Sequence, residues 1–106
     1  MAQFDVHRNN GKHRDSIPFV VVVQSALFDG YGRRVVVPLV KESLLGKISN
    51  PRFNPTFKIG KASVVLHPLE IVSVSNDKLG EPIASLADES DRIIGALDEL
   101  LTRAYG

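Results

Sequence analysis

Four consecutive valines, Val20–Val23, follow Phe19 in this chain of 106 residues. Aromatic and β-branched side chains favour extended backbone, and an apolar run of this length is typical of a buried strand. A second valine-rich run begins at Arg33, after the glycine-bearing turn signal Asp29–Gly32. Because only this turn separates the two runs, they predict a β-hairpin with a long loop, with strands over Phe19–Ser25 and Arg33–Leu39.

Further short segments on both sides of this hairpin also have the composition of strands. They are Gln3–His7, Thr56–Ile59, Ala62–His67 and Glu70–Ser75. Gly60 separates the second from the third, which predicts a second hairpin. The polar loop Arg8–Ser16 precedes the first hairpin, and the stretch Asn50–Pro55 is too rich in proline for regular structure. Together these segments predict one antiparallel sheet.

The last part of the chain has the period of a helix. Apolar residues recur at helical spacing at Leu86, Ile93, Ile94, Leu97, Leu100 and Leu101. Acidic residues lie in the early turns and Arg103 lies near the end, as the helix dipole favours. We expect one amphipathic helix of about four to five turns that packs this stripe on the sheet. The predicted fold is therefore a single domain over residues 1–106, mainly β with one C-terminal α-helix.

The composition excludes several classes of protein. The chain has no cysteine, which excludes disulfides, thiolate nucleophiles and zinc sites with cysteine ligands. No apolar run approaches the roughly 20 residues of a membrane span. Residues 1–14 lack the apolar segment of a signal peptide. We therefore expect a cytoplasmic protein that does not contact membranes.

Charge is balanced overall but is distributed unevenly along the chain. Residues 1–68 contain ten Lys and Arg against four Asp and Glu, a net charge of +6. Residues 69–106 contain three against eight, a net charge of −5. The basic part could bind an acidic partner, or basic strands could simply face an acidic helix within one domain.

The sequence lacks the residue patterns of common catalytic, cofactor and metal sites. The three histidines, His7, His13 and His67, do not have the spacing of a helical metal pair. Nothing near Asp29 or Asp98 would raise the pKa of either carboxyl for general acid chemistry. The five Phe and two Tyr do not interleave with Lys and Arg to form a base-stacking surface. We therefore expect no catalytic residue, no metal, no cofactor and no direct nucleic-acid binding.

The adjacent pair Arg33-Arg34 opens a predicted strand, so its two side chains must point to opposite faces. One arginine therefore meets solvent, and the other must find a carboxylate or reach the surface. The pair could anchor an acidic peptide or a phosphate. Alternatively, one member forms an intramolecular ion pair with Asp29 or with the acidic helix.

The segment Val23–Leu39 resembles the CcdB toxin family. It contains, in the family's order, Val-Gln-Ser, an apolar pair, an Asp, a glycine turn, Arg-Arg and Val-x-Pro-Leu. Other matches fall in place at Gln3-Phe4, Leu44-Leu45, Pro55–Ile59 and Leu79–Glu81. The resemblance therefore covers essentially the whole chain.

The resemblance implies a homodimer with an SH3-barrel-like antiparallel sheet, acting as the toxin of a type II toxin–antitoxin pair. Such toxins bind the A subunit of DNA gyrase and trap the enzyme with its DNA cleaved, without catalytic activity or a cofactor of their own. The acidic, disordered C-terminal segment of the cognate antitoxin neutralises them. Two alternatives are an endoribonuclease toxin of the same fold, with Asp29 and the arginine pair as its candidate residues, and a non-toxic relative that only dimerises and binds antitoxin.

The resemblance also places two sets of functional residues by position. The gyrase-binding candidates are Gln3, Phe4, Ser25, Leu27, Phe28, Asp98, Leu101, Thr102, Arg103, Ala104, Tyr105 and Gly106. The antitoxin-binding candidates are basic residues of the loops Arg8–Ser16 and Lys41–Asn50 and their borders, namely Arg8, Lys12, Arg14, Lys41 and Lys47.

The chain departs from the family at its C-terminal end. Well-known members end in Trp-Gly-Ile, whereas Thr102, Arg103 and Ala104 stand at those positions here, followed by Tyr105-Gly106. Either Tyr105 replaces the tryptophan as the aromatic anchor on a slightly longer helix, or poisoning of gyrase is weaker or lost. Tyr105 could also be only a frayed chain end.

Overall fold

The nine-residue strand Arg33–Lys41 is the centre of the sheet, because three other strands pair with it. A computed structural model describes residues 2–102 of the chain. In chain order the strands are β1 (Asp5–Arg8), β2 (Phe19–Val22), β3 (Arg33–Lys41), β4 (Thr56–Ile59), β5 (Ala62–Leu66), β6 (Val72–Ser75) and β7 (Pro82–Ser85), followed by helix α1 (Ser90–Leu101). The fold is mainly β with one C-terminal α-helix, which confirms the predicted class.

All strand pairs in this seven-stranded sheet are antiparallel, and six strands follow the order β4-β5-β3-β2-β1-β7. The remaining strand, β6, extends the edge that β5 occupies: β5 pairs with residues 39–41 of β3, and β6 with residues 33–36. The sheet curls into a half-barrel. The SH3-barrel-like sheet and the two predicted hairpins, β2–β3 and β4–β5, are thereby confirmed.

Pro38 lies inside β3, where a proline removes one hydrogen-bond donor from the ladder. Its carbonyl accepts a hydrogen bond from the N–H of His67 at 3.0 Å, so this position faces the connection between β5 and β6. The connection contains the 3₁₀ turn Pro68–Glu70 rather than a strand. The missing N–H therefore falls where the ladder is already interrupted, which explains how β3 tolerates a proline.

The two faces of β3 bury different sets of residues. Val37 and Leu39 point into the main core together with Val21 and with Ile93 of α1, and all four are fully buried. Val36 is also buried but lies outside that cluster, because alternate side chains of a strand point to opposite faces. The main core thus sits between the sheet and α1.

The helix is shorter than predicted and presents a different face to the core. α1 has 12 residues, about three turns, and Leu86 is buried ahead of it rather than within it. Ile93 and Ala96 are fully buried, whereas Ile94 and Leu101 are 53% and 75% exposed. Placing Ile94 and Leu101 in the buried stripe was therefore wrong, because neighbours separated by 100° cannot both face the sheet. None of the helices within residues 2–102 is long and apolar enough to cross a membrane.

Some predicted strand bounds also need correction, and one strand was not predicted. The predicted strand Glu70–Ser75 begins only at Val72, because Pro68–Glu70 forms a 3₁₀ turn. β1 begins at Asp5 rather than Gln3, and β2 ends at Val22 because Ser25 caps a 3₁₀ turn. β7, which pairs with β1, was not predicted. It has only four residues and opens with Pro82, so its sequence does not resemble a strand, and its pairing with β1 is a long-range contact.

Arg92 joins α1 to the sheet through two contacts with β4. Its guanidinium lies 4.3 Å from the centre of the Phe57 ring and donates a hydrogen bond to the Thr56 carbonyl at 2.6 Å. It also forms an ion pair with Glu89, one turn earlier. Arg52 forms a second ion pair with the helix, to Glu99 at 3.8 Å, but its side chain is mostly exposed.

Replacing Arg92 with methionine should lower the free energy of unfolding by about 1–2 kcal/mol. The substitution keeps an aliphatic side chain but removes the cation–π contact and a charged hydrogen bond to the sheet. The matched variant Arg52→Met should cost at most about 0.5 kcal/mol, because exposed ion pairs contribute little. Urea unfolding at equilibrium measures both effects. Equal losses in the two variants would contradict the role given to Arg92.

Candidate functional site

The loop between β2 and β3 exposes a group of apolar side chains. Ser25 Oγ accepts a hydrogen bond from the N–H of Leu27 at 3.2 Å and thereby caps the 3₁₀ turn Ala26–Phe28. Leu27, Phe28 and Tyr31 are 83%, 47% and 67% exposed, and we call these three residues the apolar platform. The rings of Phe28 and Tyr31 meet edge to face with their centres 6.0 Å apart. The platform is therefore an ordered apolar surface outside the main core.

The arginine pair adopts the arrangement in which one member forms an intramolecular ion pair. Arg34 is 5% exposed and pairs with Asp29, Nη2 to Oδ1 at 3.7 Å. Arg33 points to the other face and donates hydrogen bonds to the side chain and carbonyl of Ser73, each at 2.8 Å. The two guanidiniums are therefore engaged separately and do not converge with Asp29 on one cleft.

The predicted N-terminal contacts split between the surface and the core. Gln3 is half-buried, and its Nε2 donates to the carbonyl of Val23 at 3.1 Å, next to the start of the β2–β3 loop. Phe4 is 8% exposed and belongs to the main core. Its φ of 71° is unusual for a residue with a side chain. Backbone hydrogen bonds to Val22 and from Leu86 hold it there, so its ring lies in the core rather than at the surface.

The exposed face of α1 provides a second apolar surface. Three predicted gyrase contacts lie at the C-terminal end of the helix, namely Asp98, Leu101 and Thr102. The Thr102 hydroxyl donates a hydrogen bond to the Asp98 carboxylate at 2.8 Å. Ile94 shares their side of the helix, one turn before Asp98 and two turns before Leu101. Sequence reasoning missed Ile94 because it assigned the residue to the core. Arg103, Ala104, Tyr105 and Gly106 lie outside the described residues.

A groove of about 440 Å³ lies on the face of β3 opposite the main core. Its floor is apolar and includes Val20, Val36, Pro38 and Val74. Its polar lining includes the basic residues Arg8, Lys12, His13 and Lys78, which form its rim together with Asn9, Asn10 and Gly11. These residues come from the end of β1, from the β1–β2 loop and from the 3₁₀ turn after β6. We call this feature the basic groove.

A protein-family model matches nearly the whole chain. It is described as CcdB protein and matches residues 3–103. The chain belongs to the CcdB family. The match runs from before β1 to beyond the end of α1, so it includes the apolar platform, the exposed helix face and the basic groove. Membership makes this protein a toxin of the toxin–antitoxin kind.

Two of the five basic residues predicted to bind antitoxin line the basic groove of this CcdB-family toxin, Arg8 and Lys12. Arg14 is exposed in the same loop, with a guanidinium nitrogen 3.4 Å from the Gly11 carbonyl. Lys41 and Lys47 line two separate small cavities and do not join the groove. Sequence reasoning missed Lys78, because it lies in the acidic part of the chain and only the fold brings it to the rim.

The turn that carries Lys78 also contains a carboxylate that stays ionised to lower pH than usual. A hydrogen bond from the Ser75 side chain is the largest cause of the lowered pKa of Asp77, and the charge of Lys78 lowers it further. Partial desolvation opposes both effects. Asp77 therefore places a negative charge beside the basic rim at neutral pH.

His7 is fully buried in β1. Its Nδ1 donates to the Gly80 carbonyl at 2.8 Å, since a carbonyl can only accept, and its Nε2 has no partner within the described residues. His7 therefore supports the connection between β6 and β7. No group of three or more His, Asp or Glu that could hold a metal ion occurs between residues 2 and 102.

Proposed function

We propose that this toxin acts as a homodimer in the cytoplasm, where it binds the A subunit of DNA gyrase and traps the complex with its DNA cleaved. The observation that carries the proposal is the exposure of large apolar side chains on ordered elements, Leu27 at 83% and Leu101 at 75%. Aromatic and large apolar residues are enriched in the centres of protein–protein interfaces. The toxin itself performs no chemistry in this proposal, and it requires neither a cofactor nor direct contact with nucleic acid.

The gyrase contact is formed by the apolar platform, by Gln3 and by the exposed face of α1, including Ile94, Asp98 and Leu101. The predicted contacts beyond Thr102, which lie outside the described residues, belong to the same proposed contact, with Tyr105 as the aromatic anchor. Apolar side chains that remain exposed in the folded toxin can be covered by a partner without any change in the packing of the core.

Replacing Leu101 with alanine should weaken gyrase binding by roughly thirtyfold, because anchors that fill a partner's pocket commonly contribute about 2 kcal/mol. Thermal stability should change little, since the side chain is 75% exposed. The matched control is Leu44→Ala, a leucine that is 59% exposed but lies outside both surfaces. Affinity is measured by calorimetry, and poisoning by DNA cleavage with purified gyrase.

Equal affinities for the two leucine variants would contradict the helix contact. Removal of Tyr105-Gly106, assayed in parallel, tests the proposed aromatic anchor separately. RNA cleavage by the toxin alone would support the endoribonuclease alternative, and the absence of both activities would support a relative that only binds antitoxin.

The homodimer is supported by apolar residues in the connection between β5 and β6. Leu69 lies in the 3₁₀ turn that packs against α1, and its side chain is 67% exposed. Ile71 follows this turn and is 39% exposed. The sheet edges are poor dimer contacts by comparison, because β4 and β7 have four residues each and carry Lys58 and Pro82. A second copy would bury the β5–β6 connection.

Light scattering at tens of micromolar protein should therefore give a mass in solution of twice the chain mass of 11.6 kDa. Leu69→Asp should shift the population toward monomer, because a buried unpaired carboxylate opposes association. Lys58→Asp on the β4 edge is the control and should leave the mass unchanged. A monomeric parent protein would contradict the proposal.

The basic groove is the proposed site of the antitoxin. An acidic segment with interspersed apolar side chains matches its basic rim and its valine-rich floor. Such a segment can remain disordered when free and become ordered in the groove.

Lys12→Gln and Lys78→Gln should each weaken antitoxin binding by about twofold to fivefold, mainly through a slower association rate. Association should also slow with added salt, because exposed charges are screened beyond about 10 Å at 0.1 M. Lys61→Gln, at the turn between β4 and β5 and outside the groove, is the matched control. Stopped-flow kinetics with the acidic segment of the antitoxin measures the rates. An association rate that is independent of salt and unchanged in both groove variants would exclude this electrostatic contribution.

A further inference from the structure

Arg34 and His7 are the only polar or charged residues that are buried among residues 2–102. Arg34 donates its hydrogen bonds to the backbone of the β2–β3 loop and its border with β3. Nη1 donates to the carbonyls of Tyr31 and Arg33, each at 2.9 Å, and Nη2 donates to the carbonyl of Asp29 at 3.0 Å. One guanidinium thus holds three backbone carbonyls between residues 29 and 33. It also forms the ion pair with the Asp29 side chain.

Gln24, two residues after the end of β2, holds the same loop from its other side. Its Nε2 donates to the carbonyls of Phe28 and Arg33, each at 3.1 Å, and its Oε1 accepts from the N–H of Val35 at 3.0 Å. The side-chain amide is therefore fully engaged in joining the loop to the start of β3. Asn76 adds a third connection, since its N–H donates to the Gly32 carbonyl at 3.0 Å.

The groups that hold the β2–β3 loop in place are different from the side chains that the loop exposes to solvent. The loop carbonyls are bound by polar side chains, whereas Leu27 and Tyr31 of the platform remain largely exposed. An unrestrained loop of this length would lose conformational freedom whenever a partner bound it. A loop that is already fixed avoids that loss, which strengthens binding without any new contact.

We propose that Arg34 is a positioning residue, which holds the apolar platform in its binding-competent arrangement before a partner arrives. Arg34 is buried and does not itself contact the partner. The identity of the partner as gyrase rests on the proposed function, whereas the positioning of the loop does not. The planar guanidinium suits this task because it can donate to several carbonyls in fixed directions, which the single ammonium group of lysine cannot do.

The neighbouring arginine provides a matched comparison. Arg33→Lys changes the same side chain one position earlier in β3, but Arg33 donates only to Ser73 of β6 and not to the loop. Arg34→Lys keeps the charge and removes the multiple hydrogen bonds. Hydrogen exchange is followed at the amides of Asp29 and Tyr31, whose hydrogen bonds lie within the loop, and at Val37 in the core.

In Arg34→Lys, exchange at Asp29 and Tyr31 should accelerate by about tenfold or more while Val37 keeps its protection. Affinity for gyrase should fall at least about fivefold, and affinity for the acidic antitoxin segment should stay within about twofold. Arg33→Lys should leave loop exchange unchanged. If Arg34→Lys does not fold, Gln24→Ala, which releases the loop from its other side, should show the same loop-specific acceleration and loss of gyrase affinity.

Unchanged loop exchange in a folded Arg34→Lys protein would overturn the proposal. Faster loop exchange with undiminished gyrase affinity would also overturn it, because the fixed arrangement would then not serve binding. If the parent protein does not bind gyrase at all, the proposed function fails, while the exchange data still decide whether Arg34 positions the loop.

Discussion

The pairing of β3 with three strands is the constraint on which the rest of the structure depends. Nine residues are enough to pair with β2 along one edge and with both β5 and β6 along the other. Pro38 stands opposite the interruption between these last two strands, so the strand keeps its length despite the proline. Because β3 is continuous, the β2–β3 loop at its start is fixed to the same rigid element as the core residues Val37 and Leu39.

Alternation along β3 then assigns different tasks to neighbouring residues. Val35, Val37 and Leu39 point toward the side of the main core, and Val35 also lines the concave surface beside the apolar platform. Arg34, Val36 and Pro38 point the other way, where the first holds the loop and the other two form part of the groove floor. A shift of one residue in register would exchange these roles, so the register of β3 determines both surfaces together.

Local sequence patterns predicted the hairpins, whereas features that depend on distant contacts were missed. Both hairpins follow from β-branched runs around glycine turns. The cost of burying an unpaired charge made an intramolecular ion pair one of two alternatives for the arginine pair, and it left the arginine and its partner undetermined. β7 was missed because its pairing with β1 depends on residues 75 to 80 positions away rather than on its own composition. Lys78 was missed for the same reason. The exposed side chain of Ile94 could have been predicted from its spacing to Asp98 and Leu101, since adjacent Ile93 already fills the core position.

The two proposed binding surfaces lie on opposite faces of β3, and this limits how an antitoxin could act. Val35 lines the concave surface beside the platform, whereas Val36 lines the groove on the other face. A short segment that only fills the groove would therefore leave the platform uncovered. Neutralisation by direct competition therefore requires a segment long enough to continue around the β2–β3 loop. A flexible acidic chain suits such a path, because it can follow a curved surface and order itself as it binds. Since Arg34 and Gln24 hold the loop and not the groove, the part of the segment that fills the groove would bind independently of how the platform is fixed.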